Sequence, residues 1–137
     1  MADEHILQIE THLPITFTKS TAEALEKGAM CEMTNTMTAT ISNGDTDIVA
    51  GVVHTEVTAA EASPSVSIYR GGIFSAVAGV AGVTFGKALI TDSATSSANR
   101  LVDADVGSEN IVGTCLQTAG SGSRFFYELN PFAVNLA

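Results

Sequence analysis

Val66-Ser67-Ile68-Tyr69-Arg70-Gly71-Gly72-Ile73-Phe74 is the stretch on which the reading of the fold turns. Val66 and Ile68 alternate with Ser67 and Tyr69, the period of two of a half-buried strand, and across the Gly71-Gly72 bend Ile73 or Phe74 takes up the apolar side again. Sequence of similar character lies on both sides. The stretch therefore reads as a seam between two related halves.

Working upstream, Ala29 to Met33 reads as a strand and Thr34 to Thr40 as a second, Thr-rich one. Ser42-Asn43-Gly44-Asp45 carries the Asn-Gly turn signal, Ile48 to Val53 is a short apolar strand, and Ala59 to Ser65, with Pro64, is a loop. Downstream the order repeats. Lys27-Gly28-Ala29-Met30 is answered by Gly86-Lys87-Ala88-Leu89, then by a polar loop over residues 91–105. Ile111-Val112-Gly113 answers Ile48 to Gly51, and Phe125 to Leu129, after the Gly120-Ser121-Gly122 turn, answers Val66 to Tyr69. The expected fold is mainly β: a small barrel-like domain of two related modules, at about residues 27–74 and 84–130 within a single domain 19–137.

Ahead of this domain, residues 1–18 read as an N-terminal arm ending in a first strand, in which Leu13, Ile15 and Phe17 alternate with polar residues. Asp3, Glu4 and His5 are expected to be mobile, and the apolar Ile6, Leu7 and Ile9 could either join another sheet edge or begin the domain's own sheet. Ser20-Thr21-Ala22-Glu23 fits a capping box, which predicts a short helix over residues 21–27 ended by Gly28. At the other end, the tail 131–137 is free of charge and alternates Phe132, Val134 and Leu136, a pattern that wants a surface to lie on.

Composition removes several function classes. With 137 residues the chain is long enough for one domain with a real core, and its net charge of −9, with only six scattered basic residues, argues against a nucleic-acid partner. The Ile73 to Ile90 run is broken by glycines and polar residues, so no membrane span is expected. The start, Met-Ala-Asp-Glu-His, has no secretory character, which predicts synthesis in a cytoplasm and reduced cysteines at Cys31 and Cys115.

No catalytic constellation emerges, and neither a cofactor nor a metal is expected. Gly86-Lys87-Ala88 lacks the hydroxyl of a phosphate loop, and Gly120-Ser121-Gly122-Ser123 is turn chemistry and not a nucleophile elbow. His5, His12 and His54 have no partner motif, the acid pairs Asp45/Asp47 and Asp103/Asp105 do not continue as calcium loops, and Cys31 and Cys115 have no metal-ligand spacing. Tyr69, Phe125, Phe126 and Tyr127 are better suited to core or subunit packing than to base stacking in so acidic a chain.

Taken together, Gly51-Val52-Val53, the Thr-containing loop after it and Ser67-Ile68-Tyr69-Arg70-Gly71-Gly72-Ile73-Phe74 resemble the head-decoration proteins of lambda-like tailed phages. The recurrence of Gly86-Lys87-Ala88-Leu89, Ile111-Val112-Gly113 and Cys115-Leu116 is similar to the related phage capsid cement family, the likeness spanning about residues 27–129. The resemblance implies a β-tulip fold and a structural, non-enzymatic virion protein made in the host cytoplasm. It further implies a homotrimer on the capsid exterior, at local three-fold positions of the major capsid protein lattice, that stabilises the expanded shell. By position, Ile6, Leu7, Ile9, Leu13, Ile15 and Phe17 would be the capsid-binding arm. Tyr69, Arg70, Ile73, Phe74, Phe132, Val134 and Leu136 would form subunit interfaces, with Arg70 an exposed strand-end charge. The alternative is an exported pilin- or adhesin-like β subunit, which a Cys31–Cys115 bridge would favour.

Overall fold

The bend at Gly71 separates two sheets. The computed structural model describes residues 3–19, 24–42, 48–59, 65–92, 99–104 and 110–132. Among these residues the strands are Ile6–Ile9 (β1), Ile15–Lys19 (β2), Met30–Asn35 (β3), Thr38–Ile41 (β4), Val49–Val53 (β5), Ser65–Tyr69 (β6), Gly72–Val77 (β7), Ala88–Thr91 (β8), Leu101–Asp103 (β9), Ile111–Cys115 (β10) and Arg124–Phe132 (β11). Strands β2, β4, β3, β5 and β6 close into a barrel, and β1, β7, β11, β10, β8 and β9 form a six-stranded sheet in that order. The seam stretch thus supplies β6 to the barrel and β7 to the sheet.

The two modules share one topology down to the residue register. In the barrel β2 lies parallel to β4, with Lys19 opposite Ala39; in the second module a parallel bridge sets Ala78, just beyond β7, opposite Leu101 of β9. That bridge joins β7, β11, β10, β8 and β9 in the ring order of β2, β6, β5, β3 and β4. Cys31 faces Gly51 as Leu89 faces Gly113, and Val53 faces Ile68 as Cys115 faces Tyr127. The bridge Leu25–Val57 matches Val83–Ala119. Turn bonds repeat as well: the Gly28 N–H donates to Val53 O at 3.0 Å and the Gly86 N–H to Cys115 O at 2.9 Å, both glycines at positive φ (86° and 83°).

Alternation along the strands sorts side chains into two cores. Phe17, Cys31, Ala50, Val53, Val66 and Ile68 fill the barrel, while Met30, Val49, Val52 and Tyr69 point from the barrel's outer wall into the second core with Phe74, Leu89, Val112, Phe125, Tyr127 and Leu129. One wall is therefore buried on both faces, which is why the Val49–Val53 run is apolar without interruption. Cys31 and Cys115 are free and lie in different cores, so they form no bridge.

On β5 the register passes from Cys31 opposite Gly51 to Glu32 opposite Val49, a bulge that leaves backbone carbonyls in need of donors. The Arg70 guanidinium fills this need, its Nη1 donating to Val49 O at 3.1 Å and Ala50 O at 2.9 Å. Arg70 is thus a half-buried clamp on the bulge and not the exposed strand-end charge expected from sequence. Arg70→Ala is expected to cost about 2 kcal/mol, since it strips two carbonyls of a charged donor. A urea-unfolding midpoint equal to that of the parent protein would show that the clamp contributes nothing.

Three local expectations are corrected. No helix occupies the described part of the predicted 21–27 segment: Leu25 is buried in its bridge to Val57, and residues 26–29 form a turn closed by the Ala29 N–H on Glu26 O at 3.1 Å. Tertiary pairing of Leu25 overrides the local capping signal, whose Ser20 to Glu23 lie outside the described residues. The loop expected over 91–105 contains β9, held by pairing of Ile90 with Val102 and burial of Leu101. Finally, His5, expected to be mobile, is buried, while β1 lies antiparallel on β7 in the chain's own sheet, one of the two placements that the sequence leaves open.

Candidate interaction surface

The six-stranded sheet turns alternate side chains in opposite directions. Leu7, Phe74, Tyr127 and Cys115 share one cross-strand row that faces the core. The neighbouring row faces outward: Ile6 pairs with Ser75, Ser75 with Phe126, and Leu116 follows on, its N–H donating to Phe126 O at 2.9 Å. Ile6 is 47% exposed, Phe126 45% and Leu116 39%. A second outward row holds Ile9, Ile73, Glu128 and Thr114. The result is a mixed outward face on which the exposed Ile6, Phe126 and Leu116 surround Ser75, itself buried and accepting from Arg124 Nη1 at 3.3 Å, with Ile9, Ile73 and the Glu128 carboxylate in the next row.

The edge of this face is fastened by buried polar groups. The His5 N–H donates to Gly28 O at 2.9 Å, and its ring lies between the Tyr127 hydroxyl, 2.7 Å from Nδ1, and the Asn99 carbonyl, 2.7 Å from Nε2. A carbonyl only accepts, so Nε2 carries the proton and Nδ1 accepts from Tyr127. Asn99 in turn accepts the Met30 N–H at 2.9 Å, so a single cluster ties the start of the chain to both modules. Burial lowers the His5 pKa to about 4 and raises that of Tyr127 well above its ordinary value. Around it, Arg100 pairs with Asp3 at 2.8 Å and Arg124 donates to Glu4 O at 3.1 Å.

The residues singled out from sequence divide by the face they occupy. Ile6, Ile9 and Ile73 lie on the outward face, and Phe132 is exposed at the end of β11. Leu13 and Ile15 are exposed at the start of β2. Phe17, Tyr69 and Phe74 are buried in the two cores, so their side chains are turned away from a partner, and Leu7 is half-buried against the second core. Their alternation is real, but it runs into the chain's own interior. Tyr69 also donates its hydroxyl to Glu10 Oε2 at 2.9 Å, and Phe74 meets the Tyr69 ring edge-on. Val134 and Leu136 lie outside the described residues.

The sequence gives Leu116 no surface role and assigns Phe126 to core or subunit packing together with Tyr69, Phe125 and Tyr127, without separating it from them. The signal was present in Phe125-Phe126-Tyr127: three consecutive aromatics on one strand place the middle ring opposite the other two. A cavity of about 120 Å³ lined by His5, Leu7, His54, Tyr69 and Phe74 sits where the modules meet. That is smaller than the ~300–1,000 Å³ usual for small-molecule sites.

No family model matches the chain, and no curated protein sequence matches it. Among solved structures it is similar to the N base of the head fiber protein gp8.5 of bacteriophage phi29, with a TM-score of 0.57 at 14% sequence identity, over 90% of this chain and 99% of that one. The two share a fold. At that identity the likeness speaks for the arrangement of strands, and it extends over both modules of the present chain.

Proposed function

We propose that this chain is a structural protein of a phage head that binds the outer surface of the assembled shell. In this reading it sits as a homotrimer at local three-fold positions of the major capsid protein lattice and stabilises the expanded shell. The observation that carries it is the likeness, over nearly the whole of both chains, to the base of a phage head fiber. The outward face with Ile6, Phe126 and Leu116 supplies a contact surface, and the net charge of −9 suits a protein that stands on a DNA-filled shell without binding its contents. A clamp of this kind acts by many weak contacts made together and asks for no catalytic group or cofactor.

Mixing the purified protein with expanded, undecorated shells and imaging them by cryo-EM tests the reading. Density at three-fold positions is expected, and bare shells at saturating protein would reject it. The face is tested by Phe126→Asp combined with Leu116→Asp. Because both side chains are already partly in water, the thermal midpoint should stay within a few degrees of the parent, whereas shell affinity should fall at least tenfold. Equal affinity would move the contact to another face. Removing residues 1–10 is not a clean test, since it would take away β1 and His5 with the arm.

A further inference from the structure

Where β5 leaves the barrel wall it opens a groove that the capsid reading does not use. Val53 still faces Ile68 of β6, and the His54 N–H still donates to Ser67 O at 2.8 Å. Past His54 the chain turns aside to pair with Leu25, whose N–H donates to Val57 O at 2.8 Å and whose carbonyl accepts the Val57 N–H at 2.9 Å. Thr55 and Glu56, both exposed, therefore step away from β6, while β2 continues along its other side with Thr16 opposite Ser67 and Thr18 opposite Ser65. Between these two banks lies a groove of about 320 Å³, with Ser65 and Ser67 along it and the buried Val57 and Val66 in its lining.

Strand parity sets the chemistry of this groove. Phe17, Val66 and Ile68 turn into the barrel, so their sequence neighbours Thr16, Ser65 and Ser67 turn outward. Among the described residues no hydrogen bond engages the side-chain oxygens of Thr16, Ser65, Ser67 or Glu56, and Thr55 Oγ1 lies 2.9 Å from His54 Nδ1, which fixes its direction. The three free hydroxyls, each able to donate once and accept twice, thus share the groove with a carboxylate that only accepts. The volume falls in the range of small-ligand sites, which that of the cavity between the modules does not.

We infer that this groove binds a neutral sugar. Two adjacent sugar hydroxyls make a two-pronged donor for the Glu56 carboxylate, as the two N–H groups of a guanidinium do, while Thr16, Ser65 and Ser67 donate to or accept from the remaining oxygens. A ligand without hydroxyls would leave those groups unpaired as it displaced their water, and one with a carboxylate or phosphate would meet Glu56 in a chain of net charge −9. The methyl groups of Thr16 and Thr55 supply apolar contact for sugar C–H groups. Because the lining holds no aromatic ring, a single groove is expected to bind with a Kd of about 1 mM. The inference needs only the first module and is independent of where the chain sits.

Amide NMR titration of the full chain, with no shell present, tests it. The methyl glycosides of glucose, galactose, mannose and rhamnose stand for a single sugar, maltose and chitobiose for a stretch of glycan, and glucuronate and spermidine for charged ligands. At least one neutral sugar, offered up to about 50 mM, is expected to give saturating shifts gathered at residues 16, 55–57 and 65–67. Tighter binding of a disaccharide than of the methyl glycosides would assign the groove to a glycan chain, and equal binding to a single sugar. Glu56→Gln and Thr16→Val, both at exposed positions, should leave the thermal midpoint unchanged and each weaken that binding about tenfold. The inference is overturned if no neutral sugar gives saturating shifts, if the shifts gather elsewhere, or if both variants bind as the parent does. Spermidine or glucuronate binding as tightly as the sugar also overturns it, since charge alone would then be read.

Discussion

Gly51→Ala and Gly113→Ala are each expected to lower stability by about 3 kcal/mol or more, with the double variant failing to fold. A Cβ at Gly51 would overlap the Tyr69 carbonyl oxygen, and one at Gly113 would overlap the Glu128 carbonyl oxygen. These are equivalent places in the two modules, where β5 lies against β6 and β10 against β11. The obstructing atom is backbone in both cases, so no side-chain rotation relieves it. Gly51 has a second constraint, φ near 142°, a region that residues with a Cβ rarely adopt. Urea unfolding of the two single variants measures the effect, and a midpoint like the parent's in either would show that the strands can separate at little cost. Gly86→Ala is the control: nothing lies near its Cβ, so the penalty there should be the smaller one of its positive φ alone.

Stability is expected to fall by about 2–3 kcal/mol between pH 7 and pH 4.5 through His5 alone. In the folded chain His5 stays neutral down to about pH 4, whereas in the unfolded chain it takes a proton near the ordinary 6.5. The unfolded state therefore binds more protons across that window. The full contribution is present above pH 6.5 and is lost as the pH falls toward 4. Carboxylates add their own dependence, so the measurement is the difference between the parent and His5→Asn in denaturant unfolding at several pH values. The variant should be weaker at pH 7 and show a shallower slope, and identical slopes would remove His5 from the account. Tyr127→Phe offers a second handle, because it withdraws the hydroxyl that Nδ1 accepts.

What the sequence disclosed depended on how local each cause was. The alternation in Val66 to Phe74 is set by nearest neighbours, and it located β6, β7 and the bend between them. The repeat was legible in its order, and Gly51 with Gly113 and Val66 with Phe125 match in register, but the first of the three matches was off by one. Lys and Ala appear in both Lys27-Gly28-Ala29-Met30 and Gly86-Lys87-Ala88-Leu89, while the structure aligns Gly28 with Gly86 through their positive φ and their bonds to Val53 and Cys115. Identity of side chains misled where backbone conformation decided. The helix expected near residue 25 failed because Val57 supplies Leu25 with a strand partner that no capping signal reports. His5 was misplaced for a related reason: Tyr127 and Asn99, which bury and bind it, lie far along the chain. Of the surface residues, Ile6, Ile9 and Ile73 were legible as apolar, but only the register of β1 on β7 separates them from the equally apolar Leu7 and Phe74.

The wall that both cores share also orders events during synthesis. Strands β2 to β6 are contiguous in the chain, so the barrel can close while later residues are still being made. Until β7 to β11 arrive, Met30, Val52 and Tyr69 stand in water on its outer side. Strand β1 leaves the ribosome first yet has no partner until β7 exists, which makes the first-made strand among the last to be used. A nascent chain halted once residue 70 has cleared the ribosome is therefore expected to carry a finished barrel with a sticky flank and a loose leading end, the stage at which a chaperone would find most to hold.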